Sequence, residues 1–129
     1  MDDPTTLSSA PDAPAALDPE ALARLRRFGG DKLLHEMIAL YLDAAPDRLA
    51  SARAAWKSGD VMEAELALHS LKSSSAQLGA ARLSRLSDQG ELITRAGSLE
   101  GIGGIVEEME DELGRVTAWL SGVRNGGAA

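Results

Sequence analysis

The sequence predicts an all-α protein: an antiparallel up-and-down four-helix bundle with a short additional N-terminal helix. Three observations lead there. Apolar residues recur every three or four positions through four long runs, and no stretch alternates with the period of a strand. Glycines and aspartates sit between the runs where helices stop and start. Only Phe28, Tyr41, Trp56 and Trp119 are aromatic, so the core must be assembled from Leu, Ala, Ile, Val and Met, a composition that favours helices. At 129 residues the chain makes one domain, large enough for a single core and too small for two.

Residues 1–17 hold three of the five prolines among Asp, Ser, Thr and Ala, lack periodicity, and are predicted to form a disordered acidic tail. The bundle is expected over residues 18–121. Asp18, Pro19 and Glu20 supply an N-cap, a proline at the first helical position and an acid in the first turn; a short helix then runs to about Phe28 and stops at Gly29 and Gly30. From Asp31 to about Lys57 the positions Leu34, Ile38, Tyr41, Leu49, Ala52 and Trp56 keep helical spacing. Pro46 removes a hydrogen bond inside that run, so it reads as one helix kinked near residues 44–46, or as two helices meeting there. Gly59 closes it, and Asp60 with Glu63 makes a capping-box-like start to the next helix, which ends at Gly79. The short connection to Ala81 forces an antiparallel neighbour carrying Leu83, Leu86, Gly90 and Ile93. After Gly97, Ser98 is a cap candidate for a last helix striped by Ile102, Val106, Met109, Leu113, Val116 and Leu120. Gly101, Gly103 and Gly104 cost about 1 kcal/mol each against Ala in a helix interior, so its first turns are expected to fray. Residues 122–129 read as a flexible C-terminal tail.

The formal net charge is −7, unevenly placed. Five acids and no Lys or Arg precede Ala21, which leaves 15 acids against 13 bases from there on. The folded part is nearly neutral and lacks the basic stripe that phosphate backbones or anionic lipids require, so nucleic acid and membrane surfaces are not expected partners. With no cysteine, disulfides, thiolate catalysis and Cys-based zinc sites are excluded. Neither a signal peptide nor a membrane-spanning run is present, and a cytoplasmic location is the default expectation. No metal site is expected, since Glu-x-x-His pairs of the di-iron bundles are lacking, and the Gly-rich run at residues 101–104 has no P-loop lysine.

The helix over residues 60–80 carries a histidine on the side that should be solvated. At 100° per residue, Val61, Ala64, Leu68, Leu71, Ser75 and Leu78 form the core stripe, and His69 lies roughly 140° from its middle. Around His69 on the outer face stand Met62, Glu65, Leu66, Lys72, Ser73 and Ala76. A patch of small and apolar residues around one imidazole and one ammonium is more often a contact surface than an accident. On spacing alone, however, His69 reads equally well as a plain surface residue. His35, beside Glu36, has no motif around it.

His69, Leu71, Lys72, Ser74, Ser75, Leu78 and Gly79 resemble the signature of the histidine-containing phosphotransfer (HPt) domain, roughly H-x-L-K-G-S/A-S/A-x-x-L/I/V-G. Ser73 departs from it, standing where the family usually has glycine. The segments LDPEALARLRRFGGD (residues 17–31) and LDAAPDRL (residues 42–49) are similar to the preceding helices of that family. The resemblance implies that His69 accepts a phosphoryl group from a receiver-domain aspartate and passes it to another receiver, with a hybrid histidine kinase as the upstream partner. It implies a phosphocarrier without ATP-dependent kinase activity and without a cofactor of its own, the Mg²⁺ being supplied by the receiver. Lys72 would stabilise the transferred group electrostatically, since charge builds on its oxygens.

Glu91 lies where HPt domains often carry Glu or Gln near the active histidine. It would fix the imidazole tautomer, or it is a solvated helix residue; Glu65, one turn before His69, has the same ambiguity, and at most one of the two acids is expected to touch the ring. Docking is expected on Met62, Glu65, Leu66, Ser73 and Ala76, extended by Arg82, Arg85 and Gln89 of the following helix. The competing reading is a helical adaptor that binds receiver or kinase domains through this surface and never carries phosphate. A monomer is expected, because one bundle uses up the apolar stripes.

Overall fold

The structure, a computed structural model, describes residues 15–126; the expectations for residues 1–14 and 127–129 lie outside them. Four helices run Pro19–Ser58 (α1), Val61–Gln77 (α2), Ala81–Arg95 (α3) and Ile102–Arg124 (α4). Each packs against two neighbours in a ring: α1 on α2 and α4, α3 on α2 and α4. The connections are short, so successive helices are antiparallel, as an up-and-down bundle requires.

The short N-terminal helix abuts the long one at a kink at Gly30, with no loop between them, and the two form the single span of α1. Asp18 caps it by accepting a hydrogen bond from the Glu20 N–H at 3.0 Å, with Pro19 behind it. The helical course then departs at Gly30 alone, where φ is +74° and ψ −175°, and resumes at once. The segment before Gly30 lays Leu22 into the core and Ala21 beside Gly79. Backbone bonds from the Asp18 N–H to the Gly79 carbonyl (2.8 Å) and from the Arg82 N–H to the Ala16 carbonyl (3.0 Å) tie residues 16–18 to the α2–α3 turn. Ala16 and Leu17, assigned to the tail from sequence, are therefore part of the packed protein.

Pro46 neither breaks α1 nor gives it a non-helical residue. Its side chain is exposed, so the ring displaces nothing from the core. Gly59, in the left-handed conformation at φ +80°, closes the helix, and Asp60 caps α2 by accepting from the Glu63 N–H at 3.1 Å. Ser98 does not cap α4: its hydroxyl accepts from the Glu100 N–H within the preceding turn, and Gly101 occupies the cap position. α4 also continues three residues beyond the expected end, because Val123 is buried in the core.

Leu22, Leu34, Ile38, Leu68, Leu71, Leu83, Ile102, Met109 and Leu120 are fully enclosed, each contributing roughly 1.5–3 kcal/mol by leaving water. Two close approaches depend on absent side chains. A Cβ on Gly103 would stand 2.3 Å from the Trp56 ring, so this helix-weakening residue is where α1 lays its indole on α4. A Cβ on Gly90 would stand 2.9 Å from Leu68 Cδ1, and its absence lets α3 close on α2 one residue from His69.

Candidate functional site

His69 projects from α2 with 58% of its side chain exposed, on the face opposite Leu68 and Leu71. Directly beneath it is Glu91 of α3, 2% exposed. Its position follows from the α2–α3 packing: Gly90 admits Leu68, and the next residue on α3 is thereby delivered under the next residue on α2. Glu91 Oε2 lies 2.8 Å from His69 Nδ1.

A buried carboxylate needs compensation, and three groups supply it. Nδ1 of His69 and a terminal nitrogen of Arg95 (2.9 Å) both contact Oε2, while Lys72 Nζ stands 3.1 Å from Oε1. The Lys72 contact is ionic, without hydrogen-bond alignment on Oε1; the aligned bond goes to Asp88 Oδ1 at 3.2 Å. Burial opposes the charged form of Glu91, but the hydrogen bond from His69, the close ionic contact of Lys72 and the charge of Arg95 outweigh it and hold the carboxyl below its ordinary range. Contacts with Glu91 and then Asp88 push the Lys72 ammonium up in turn. An ionised carboxylate has no proton to give, so Nδ1 must be the donor, and the lone pair of the neutral ring sits on Nε2, away from Glu91. Of the two acids weighed from sequence, Glu91 takes the ring; Glu65 instead approaches Arg95 Nε at 4.0 Å.

The surface around the imidazole follows the α2 ridge. Met62 and Leu66 are strongly exposed apolar side chains, and with Glu65, His69, Glu91 and Arg95 they line an open cleft of about 410 Å³. Ser73 and Ala76 continue the exposed ridge beyond His69. There the sequence reading missed Phe28, 88% exposed, which with Arg24, Leu25 and Ala76 lines a second groove, of about 620 Å³. Its signal was one of only four aromatics placed at a predicted helix end.

Three expected docking residues are not brought to this face. Relative to the side of α3 that carries Asp88, Glu91 and Arg95, Arg82 is rotated by roughly 150°, Gln89 by roughly 130° and Arg85 by roughly 90°. Arg82 is engaged with Glu108 and Glu112 of α4 at 3.5 and 3.4 Å, and Arg85 donates to the Ala15 carbonyl at 3.3 Å. Their roles in this structure are internal ties.

Residues 36–119 match the Hpt domain family. The chain belongs to that family. Membership carries histidine phosphotransfer in a phosphorelay, with receiver domains as the class of partner, and makes this Hpt protein a phosphocarrier. Among solved structures, histidine-containing phosphotransfer protein B (HptB) from Pseudomonas aeruginosa PAO1 is similar over 90% of this chain and 100% of its own, at 26% identity and a TM-score of 0.82. The HPT domain of an Hpt sensor hybrid histidine kinase from Shewanella shares the fold, with a TM-score of 0.74 and 21% identity over 88% of this chain and 97% of its own. No curated protein matches the chain. Among the described residues no group of three or more His, Asp or Glu could hold a metal ion, and no helix is long and apolar enough to cross a membrane.

Proposed function

We propose that this Hpt protein is a cytoplasmic, monomeric phosphorelay intermediate that takes a phosphoryl group on His69 Nε2 from the aspartate of one receiver domain and gives it to another. The observation that carries the reading is the pairing of an exposed imidazole with a buried, ionised Glu91 that fixes Nδ1 as donor. In the forward step the Nε2 lone pair forms the N–P bond as the P–O bond to the aspartate breaks, and the electron pair leaves on the aspartate carboxylate. The ring, now substituted at Nε2 and protonated at Nδ1, acquires positive charge, and Glu91 is placed to stabilise it. The receiver supplies the Mg²⁺ and the acid; the carrier supplies position and fixed charge. Lys72, rather than adding a free cation, holds Glu91 ionised and ties it to Asp88. Met62, Leu66, Ser73 and Ala76 form the docking ridge, which Phe28 extends.

Incubation with a phosphorylated receiver domain tests this. An acid-labile, base-stable label should appear on the wild type and vanish in His69→Gln, with helical circular dichroism unchanged. A labelled His69→Gln variant would reject His69 as the acceptor. A wild type that binds the receiver and takes no label would establish the adaptor reading instead.

A further inference from the structure

Three serines stand in a row on α2, and their hydroxyls are committed differently. Ser75 is buried and shares a hydrogen bond of 2.8 Å with the Tyr41 hydroxyl. Ser74 donates to the Ser70 carbonyl one turn back, at 3.0 Å. Ser73 is exposed, and its hydroxyl has no hydrogen-bond partner among the described residues. At 100° per residue Ser73 lies roughly 40° to one side of His69 and Lys72 roughly 60° to the other. The Lys72 side is the one turned to α3: its ammonium reaches Asp88 and Glu91, and its carbonyl accepts from the Ser84 hydroxyl at 2.9 Å. Ser73 is therefore on the side of the ring away from Glu91, whereas the two cations of the site, Lys72 and Arg95, are both bound to Glu91.

We infer that the Ser73 hydroxyl is a phosphoryl-binding donor: it hydrogen-bonds an oxygen of the group carried on His69 Nε2. This rests on the assignment of His69 as acceptor and adds a contact on the open side of the ring. Nδ1 is engaged by Glu91 at 2.8 Å, so the N–P bond forms at the ring nitrogen that Glu91 leaves free. Helical side chains tilt toward the N-terminus, and residues four apart are neighbours with about 5–6 Å between their Cβ atoms, so Ser73 leans back over the turn that carries His69. A phosphoryl group brings about 1.5–2 negative charges, and an O–H group donating to such an oxygen makes a charge-assisted bond. No proton is transferred: the hydroxyl exchanges water for a phosphoryl oxygen and keeps its hydrogen. The glycine usual in the family has no side-chain donor, so the departure at Ser73 places a hydrogen-bonding group beside the nucleophile where related chains have none.

The test uses phosphoramidate, a small donor that phosphorylates imidazoles without a receiver, on the full chain. The wild type and the Ser73→Ala, Ser73→Gly and Ser73→Thr variants are followed by ³¹P NMR. Ser73→Ala and Ser73→Gly should shorten the lifetime of the phosphohistidine severalfold and to the same extent. Both should raise the titration midpoint of the phosphoryl group by a few tenths of a unit, because a donor to the more charged form lowers that value. Ser73→Thr, which keeps a hydroxyl, should stay close to wild type in both. The ring ¹⁵N shifts of His69 should be the same in all four, since the bond to Glu91 is untouched; if they move in Ser73→Ala, the residue acts through the imidazole and the inference fails. A labelled wild type matched by Ser73→Ala in lifetime and midpoint overturns it alone, as does a loss confined to Ser73→Gly, which would reflect the helix backbone and not the hydroxyl. A wild type that takes no label on His69 overturns it together with the reading beneath it.

Discussion

Two glutamates are buried in this bundle, and their surroundings are nearly copies of one another. Glu91 and Glu112 are 2% and 1% exposed; each is gripped by an arginine one turn along its own helix, Arg95 and Arg115, and by a cation from the neighbouring helix, Lys72 and Arg82. Each also keeps one oxygen without an aligned hydrogen bond. Only Glu91 has a histidine over it. The buried carboxylate with its arginines is thus a structural device that ties α3 to its neighbours on both sides, and it becomes chemistry where an exposed nucleophile is added. Electrostatic unusualness alone does not mark the site; the exposed, hydrogen-bonded imidazole does.

The sharpest way to separate the two is the same conservative substitution at each. Glu91→Gln keeps an acceptor but removes the charge that meets the developing positive ring, so the transfer rate from a phosphorylated receiver should fall about a hundredfold, measured by rapid quench. A rate within threefold of wild type would erase the distinction. Glu112→Gln should lower unfolding free energy in urea by about 1–3 kcal/mol and leave the transfer rate of the folded protein unchanged. If it slows transfer as Glu91→Gln does, the two networks are one.

Acid sharpens the same contrast. The Glu91 carboxyl sits below its usual 4.5 in the folded protein. Its contribution to stability is therefore fully present above that value and is lost as pH falls through the folded one. The stability gap between wild type and Glu91→Gln should close in denaturant titrations as pH falls through the folded value of Glu91; a gap that persists undiminished in strong acid would contradict the ionised assignment.

Smaller changes probe how Glu91 is delivered. Gly90→Ala gains about 1 kcal/mol of helix propensity but overpacks against Leu68, at a cost of roughly 1–3 kcal/mol. The net loss of about 1 kcal/mol should be accompanied by a weaker His69–Glu91 bond, seen as a change in the ring ¹⁵N shifts. Ser73→Gly, which restores the common family residue at an exposed position, should cost about 0.5 kcal/mol and alter transfer by less than threefold. A large gain in transfer would show that Ser73 impedes docking.

The helical runs and several of their ends were legible because they are written locally: Asp18 before Pro19, Asp60 before Glu63, Gly59 after Lys57 and Ser58. Pro46 does not divide its run into two helices, because it lies within α1 without non-helical backbone. The terminal boundaries failed at Leu17 and Val123 because a single apolar residue beyond a cap carries no periodicity, yet each finds the core. At the site, His69, Lys72 and Glu91 followed from the motif and the family resemblance. Arg95 was missed, and Arg82, Arg85 and Gln89 were chosen in its place, because the rotation of α3 about its axis is set by tertiary contacts such as Leu68 against Gly90. Nothing within residues 81–95 announces which side of that helix will meet α2.

The indole seated on Gly103 has a practical consequence. Trp56 and Trp119 are half-buried on α1 and α4, and neither α2 nor α3 has a tryptophan. Intrinsic fluorescence of this protein therefore reports the half of the bundle remote from the imidazole. It provides a built-in optical gauge of whether a variant is assembled, blind to the phosphoryl chemistry being measured on the other half.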